Sequence, residues 1–381
     1  MLLAKTNPRH RAWVEINPDA IEENTKFIKS ILSKNCSLMA VVKADGYGHG
    51  ATTVSKAVLK GGAENLGVAT LQEGIDLRRD GIECPILVLG NLINHDDLTA
   101  CIDSDLIPTL STYEQAALCQ KIGKEINKQV KIHLKIDTGM TRLGCEVEAA
   151  EELIKYIDSQ SNLSLAGIYS HLALADCSLN ERSAKVTAAQ KKKFDRVLKL
   201  ITNRRNGVCK HLANSAGTLK DSELHYDMVR VGLALYGYSP IMQFQKNFAL
   251  RSALAVKARV TLIRDVPVGT GVSYGHNYIT SAPSRLAVVA IGYADGVPRA
   301  LSGQLSVLIN GKFFSQVGSI TMDQLVIDIT NSFDVEVGSI VTLLGSDGEK
   351  TITPYDWSEA SRSIPWEILC GFKYRLPRVV V

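Results

Sequence analysis

Between about residues 36 and 240 the chain alternates short apolar, β-branched runs with longer stretches in which apolar positions recur three and four apart. The short runs predict buried strands and the longer stretches amphipathic helices, because side chains repeat every two residues on a strand and every 3.6 on a helix. Strand-like runs lie at 38–43, 66–69, 86–89, 107–110, 130–136, 165–170, 209–213 and 228–235, and helical patterns at 111–128, 148–159 and 183–202. In the last of these Phe194, Leu198 and Ile201 share one face, and Lys191 to Lys193 read as its solvated side. Strands that are mostly followed by helices predict a (β/α)8 barrel rather than an open doubly wound sheet.

After about residue 245 the texture changes to alternating strand-like runs at 253–263, 285–291, 304–309, 325–329 and 340–344, separated by Gly, Pro, Asn and Asp. Asn310-Gly311 marks a hairpin, since both residues tolerate positive φ. The expected organisation is a barrel over residues 12–245 and a mainly β C-terminal domain over 246–381, with residues 1–11 packing against the latter.

Composition narrows the function classes. Apolar content of 45% with 29 Gly and 11 Pro in 381 residues excludes collagen-like, disordered and disulfide-miniprotein chains. A net charge of +4, evenly scattered, offers no nucleic-acid surface. The cysteines at 36, 84, 101, 119, 145, 177, 209 and 370 form no C-x-x-C pair and have no His-rich partner segment that would read as a metal site. They suit a reducing compartment. The N-terminal Met1-Leu-Leu-Ala meets Lys5 and Arg9 too soon for a signal peptide, and no run of ~18 apolar residues predicts a membrane span. A cytoplasmic protein is expected.

The segment Val41-Val-Lys-Ala-Asp-Gly-Tyr-Gly-His-Gly50 delivers one lysine, Lys43, from an apolar strand into a glycine-spaced loop. Barrel enzymes place their sites at that end of the strands, and burial there favours the neutral amine that can form an imine. The glycines would let the backbone approach an anion, but their order matches neither nucleotide-binding fingerprint. Asp137-Thr-Gly resembles the aspartic-protease triplet without the second carboxylate that chemistry needs. His133 is expected to point away from the site as an ordinary packed or solvated histidine.

The motif Val42-Lys43-Ala44-Asp45-Gly46-Tyr47-Gly48-His49-Gly50 resembles the pyridoxal-phosphate lysine motif of the alanine racemases, the barrel-type family of pyridoxal-phosphate enzymes. The resemblance extends over nearly the whole chain, through Lys135-Ile-Asp-Thr-Gly-Met-Thr-Arg142, Ser170-His171, Ala213-Asn214-Ser215-Ala216, Val229-Arg230-Val-Gly232-Leu233, Val272-Ser-Tyr274-Gly275, Met322-Asp323-Gln324 and Tyr374-Arg375. It implies a barrel that holds pyridoxal 5'-phosphate, a second β domain, and a head-to-tail homodimer with shared active sites.

The resemblance also implies residue roles. Racemisation removes a proton from one face of the α-carbon and returns one to the other, so one base per face suffices. Lys43 would bind the cofactor as an imine and serve as one base, with Tyr274 of the partner subunit as the other. A phenol ionises near pH ~10 and needs help, which His171 and Arg230 would supply. Arg230 would face the pyridine nitrogen and, having no proton to accept, leave the cofactor a weaker electron sink, which limits side reactions. Tyr47, Asn214, Ser215, Gly232 and Leu233 would hold the phosphate end. Arg142 and the Met322 backbone would meet the substrate carboxylate. Asp323 accompanies Met322, and Lys135 matches a lysine that many members carry as a carbamate.

Two departures bear on substrate choice. Pro365-Trp366-Glu367 carries tryptophan where the family has a tyrosine that helps bind phosphate, and Thr321 stands where a cysteine is common before Met-Asp. They leave open a broad-specificity or serine-preferring racemase beside one for L- and D-alanine. A non-catalytic pyridoxal-phosphate carrier is disfavoured by the complete second domain, and a decarboxylase is a more distant reading.

Overall fold

A computed structural model describes residues 10–176, 180–202 and 207–381; Cys177 lies outside them. The chain divides into two compact units, one of Asp19–Gly46 and Ala51–Arg251, the other of Met1–Pro18, Tyr47–Gly50 and Ser252–Val381.

The first unit is the barrel. After strand β1 (Ala12–Ile16), which belongs to the other unit, come β2 (Ser37–Val41), β3 (Asn65–Val68), β4 (Ile86–Asn91), β5 (Ile107–Leu110), β6 (Val130–Asp137), a two-residue β7 (Cys145–Glu146), β8 (Leu163–Tyr169), β9 (Cys209–His211) and β10 (Met228–Val231). All but β7 form one parallel ring, closed where β5 pairs with β6 through Thr109 and His133. Successive parallel strands need long crossovers, and helices such as Tyr113–Glu125, Ala150–Ser159 and Glu181–Thr202 provide them. Thr70 and Thr112 start their helices with capping boxes closed by Glu73 and Gln115.

Strand alternation decides what fills the barrel. Met39, Leu87, Tyr169 and Met228 come from four different strands and pack together in its interior. Gly67 makes room for them, since a Cβ there would lie 3.1 Å from the Met39 sulfur. The run expected at 228–235 is strand only to Val231, and Leu233–Tyr236 turns as a 3-10 helix. The 209–213 run ends as strand at His211.

The second unit is built on a nine-stranded sheet in which Leu254–Val266 is third from one end and also pairs back across it. That strand pairs antiparallel with β1, Ser284–Val289 and Ile340–Asp347. The hairpin at Asn310-Gly311 forms as expected, with φ of 51° and 73° joining Ser306–Ile309 to Lys312–Val317. Residues 12–18, expected in the barrel, belong here because β1 pairs with Leu254–Val266 on one side and Arg378–Val380 on the other. Residues 246–251, expected here, group with the barrel, where Asn24 exchanges hydrogen bonds with the Arg251 backbone. Arg11 pairs through both terminal nitrogens with the fully buried Asp295.

Two short helices, Pro354–Ser361 and Pro365–Gly371, interrupt the β texture of the second unit. Both place proline in the first turn, where its missing N–H costs nothing, and the first is capped by Thr353 and Asp356.

Candidate active site

The barrel strands bring a set of polar side chains to adjacent interior positions. On β6, His133 and Lys135 are two residues apart and face the same way, as do Gly167 and Tyr169 on β8, Cys209 and His211 on β9, and Met228 and Arg230 on β10. Register sets Lys135 opposite Tyr169 and Tyr169 opposite His211, with His133 opposite Gly167. His133, expected to point away, is therefore inside the barrel. A Cβ on Gly167 would lie 2.5 Å from its ring, so glycine is what admits the imidazole.

Arg230 is the hub of this layer. Its Nη1 donates to Nδ1 of His211 at 3.0 Å and to the His211 carbonyl at 3.1 Å. Its Nη2 donates to the Ser170 carbonyl at 2.6 Å, to Nδ1 of His171 at 3.2 Å and to the Leu212 carbonyl at 3.2 Å. No carboxylate meets it, and among the described residues its Nε has no acceptor. Burial lowers its pKa to about 10, which still leaves the guanidinium charged at neutral pH. Tyr169 stacks on His211 at 4.7 Å, and its ring lies 5.0 Å from the Arg230 guanidinium and 5.4 Å from the Lys135 amine.

This concentration of positive charge reshapes the site's acid–base chemistry. Burial and then Arg230 hold His133 down at about 4, and the same two causes keep His171 and His211 well below the ordinary imidazole value. Lys135 is brought down to about 8 by burial and by Arg230, Arg142 and Lys43. Tyr169 is pushed up to about 12 by burial.

Lys43 follows β2 and is half-buried; among the described residues its amine has no hydrogen-bond or ion-pair partner. The backbone after it winds the wrong way, with Ala44, Asp45, Gly46 and Tyr47 all at φ between 52° and 60°. Glu73 accepts the Ala44 N–H at 2.7 Å and Asp45 accepts the Ala51 N–H at 2.9 Å, which anchors the turn. The glycines of this loop serve close packing within the protein. A Cβ on Gly46 would lie 2.8 Å from Val54, and one on Gly48 would lie 2.5 Å from the Leu369 carbonyl. Tyr47 is buried, which raises its pKa.

Asp137 is a loop builder. Burial opposes its charge, but three N–H donors, from Gly139, Met140 and Thr141, outweigh that and hold the carboxylate below its usual range. The loop it shapes carries Arg142, which is exposed and makes no hydrogen bond or ion pair among the described residues. Farther around the barrel, Ser215 Oγ accepts the Gly232 N–H at 2.9 Å, just before Leu233. Asn214, expected at the phosphate end, uses its side-chain oxygen to cap Ser215–Lys220 through the Gly217 N–H.

In the second unit the large side chains Tyr274 and Met322 are 74% and 53% exposed among the described residues. Ser273 Oγ donates to the Ser319 carbonyl and Ser319 Oγ to the Tyr274 carbonyl, at 2.7 and 2.8 Å, which fixes the turn bearing the tyrosine. Thr321 Oγ1 donates to the Gln324 carbonyl at 2.8 Å and accepts its N–H at 3.2 Å, closing the turn over Met322 and Asp323. Asp323 accepts from Arg375 at 2.7 Å. Trp366 is half-buried on Pro365–Gly371.

The structure thus groups Lys43, Lys135, Arg142, His171 and Arg230 in one electrostatic neighbourhood. It adds Tyr169, His211 and His133, which sequence reasoning did not assign to the site. The signal for them was there: each lies two residues from another inward-facing position on its strand.

Residues 16–240 match the family described as "Alanine racemase, N-terminal domain", and residues 253–380 match "Alanine racemase, C-terminal domain". An alanine racemase of Prochlorococcus marinus is 64% identical over 381 residues, covering 100% of this chain and 99% of that protein. The crystal structure of alanine racemase from D-cycloserine-producing Streptomyces lavendulae has a TM-score of 0.92 at 34% identity, over 99% of this chain and 98% of that one. The enzyme of Bacillus anthracis with bound L-Ala-P gives 0.90 at 34%, over 98% and 95%. Matched in both domains and along almost its full length, the chain belongs to the alanine racemase family.

Proposed function

We propose that this chain interconverts L- and D-alanine with pyridoxal 5'-phosphate held on Lys43, using Lys43 and Tyr274 as the two bases. The observation that carries the reading is Arg230. A buried guanidinium with both terminal nitrogens committed, and no acceptor for Nε among the described residues, suits the pyridine nitrogen of that cofactor. The unpartnered Lys43 amine supplies the group that captures its aldehyde. Once bound, the cofactor withdraws electrons from the α-carbon and so makes its proton removable.

The chain's own residues do the rest. Ser215, the Gly232 and Leu233 backbone, and Tyr47 are the candidates for the phosphate; Asn214 supports them by capping the adjoining helix, and Trp366 stands at the family's tyrosine position. Arg142, exposed and without a hydrogen bond or ion pair among the described residues, is the candidate for the substrate carboxylate, which a guanidinium fork meets in two-point geometry. Lys43 takes or returns a proton on one face and Tyr274 of the partner subunit on the other. His171, kept neutral with its proton on Nε2, can donate toward that phenol.

A head-to-tail homodimer is supported by the exposure of Tyr274 and Met322 in the isolated chain. No hydrogen bond is made by the Met322 N–H among the described residues, which suits it to a carboxylate oxygen. Carbamylation of Lys135 is supported by its lowered pKa and its cationic neighbours, Arg230, Arg142 and Lys43. A neutral amine adds to carbon dioxide, forming an N–C bond and releasing a proton, and the resulting anion would orient Arg142. Among the described residues the seven cysteines form no disulfide and no helix is long and apolar enough to cross a membrane. A cytoplasmic setting accords with both.

Chiral analysis of L-alanine incubated with the purified protein tests the reading. D-alanine should accumulate until the two enantiomers are equal, with no carbon dioxide released; absence of D-alanine from cofactor-loaded protein would refute it. Serine in a parallel reaction measures the breadth that Trp366 and Thr321 leave open.

A further inference from the structure

We propose that His133 is a positioning residue for Arg230, acting through His211 by accepting the Nε2–H that Arg230 imposes on that ring and so fixing where the ring holds its Nδ1 against the guanidinium. The guanidinium has donors and no acceptor. With Arg230 Nη1 3.0 Å from Nδ1 of His211, that nitrogen must accept, so the neutral ring carries its proton on Nε2. Nε2 lies 2.9 Å from Nδ1 of His133, which must accept in turn, leaving the proton of His133 on its own Nε2. One charge therefore sets the tautomers of two buried imidazoles in series.

The arrangement is built, not incidental. His211 is fully buried and His133 nearly so, which removes water as a substitute acceptor. The His211 ring is clamped face to face on Tyr169 and edge-on to His133. The Gly167 position opposite His133 admits that ring and nothing larger than hydrogen on β8. Burial together with Arg230 keeps both rings neutral, as the relay requires.

Remove the acceptor at position 133 and the Nε2–H of His211 is stranded. Moving the proton to Nδ1 would set it against the Nη1–H of Arg230 donor to donor and still leave Nε2 without a partner, so the ring instead turns to find another acceptor for its Nε2–H. The guanidinium must tilt, and the direction of Nε tilts with it. The consequence for turnover rests on the function proposed above; the tautomer relay does not.

Nitrogen NMR of histidine-labelled holoenzyme tests both parts, with His133→Leu, which lacks an acceptor, and His133→Asn, whose Oδ1 stands close to where Nδ1 does. In the unsubstituted protein both rings should show protonated Nε2 and bare Nδ1. In His133→Leu the His211 Nε2–H resonance should lose its hydrogen-bond shift while Nδ1 stays bare, and kcat should fall about tenfold with KM for alanine changed less than about twofold. His133→Asn should restore the Nε2–H shift and most of kcat. Protonated Nδ1 on His211 in the unsubstituted protein would overturn the relay, whether or not the leucine variant folds. Equal loss of kcat in both variants with an unchanged His211 Nε2–H resonance would reduce His133 to packing. Should the protein fail to racemise alanine, the NMR outcome still decides the relay.

Discussion

Arg230 Nη2 sits 3.2 Å from Nδ1 of His171, and because a guanidinium can only donate, His171 is left with its proton on Nε2. Arg230 thereby imposes the neutral state on His171 as well as on His211, and His133 follows through its contact with His211.

Three histidines buried neutral make stability sensitive to acid. The unfolded chain binds protons on them below about pH 6.5, while His133 in the fold resists protonation down to about 4. Their contribution is complete above pH 6.5 and is lost as pH falls below it, because the unfolded state then takes up more protons. For His133 alone the full loss is about 3 kcal/mol by pH 4. Urea midpoints measured from pH 8 to 4.5 should be flat above 6.5 and fall below it, and His133→Asn should flatten part of the acid limb.

The left-handed turn after Lys43 stores backbone strain. Ala44 sits at φ 52°, a region that costs an alanine roughly 1–2 kcal/mol and glycine almost nothing. Ala44→Gly, after glycine's greater unfolded-state entropy is subtracted, should stabilise the fold by about 0.5–1 kcal/mol. Gly48→Ala should do the opposite, because its Cβ would press on the rigid Leu369 carbonyl. Thermal denaturation of the two variants gives the comparison.

Shared sites predict complementation. Lys43→Ala and Tyr274→Phe homodimers should each be inactive toward L-alanine. Unfolded and refolded together, they should recover about a quarter of the unsubstituted activity, since half the dimers are mixed and each mixed dimer has one intact site. No recovery from well-folded mixed dimers would place both residues in sites formed by a single chain.

Lys135 should respond to carbon dioxide. Its amine, brought down to about 8, is substantially neutral at mildly alkaline pH and therefore nucleophilic. Carbon-13 NMR in labelled bicarbonate should show a carbamate signal that Lys135→Ala abolishes, and decarbonated buffer should raise KM for alanine several-fold.

Thr321 closes the turn that presents Met322. Thr321→Val keeps its volume and deletes the two side-chain hydrogen bonds to Gln324, leaving only the backbone one from the Thr321 N–H. KM for alanine should rise about three- to tenfold with kcat little changed, which steady-state kinetics would read directly.

The barrel and the β unit were legible in the chain because periodicity reports burial face by face, and burial is a local property of a strand or helix. Lys43, Arg230 and Tyr274 stood out as candidates because each lies in a dense motif. The membership of residues 12–18 was not legible, since a five-residue strand says nothing about which distant strand it pairs with. The role of His133 was not legible either. On β6 alone it is one inward or outward histidine, and its meaning depends on Gly167 beside it and His211 beyond, brought to 2.9 Å by the pairing of β8 with both β6 and β9. Sequence by itself determined which groups this protein possesses and on which elements they ride. Tertiary structure decided which of them share one buried volume, where a single guanidinium, shielded from water, dictates the proton positions of its neighbours.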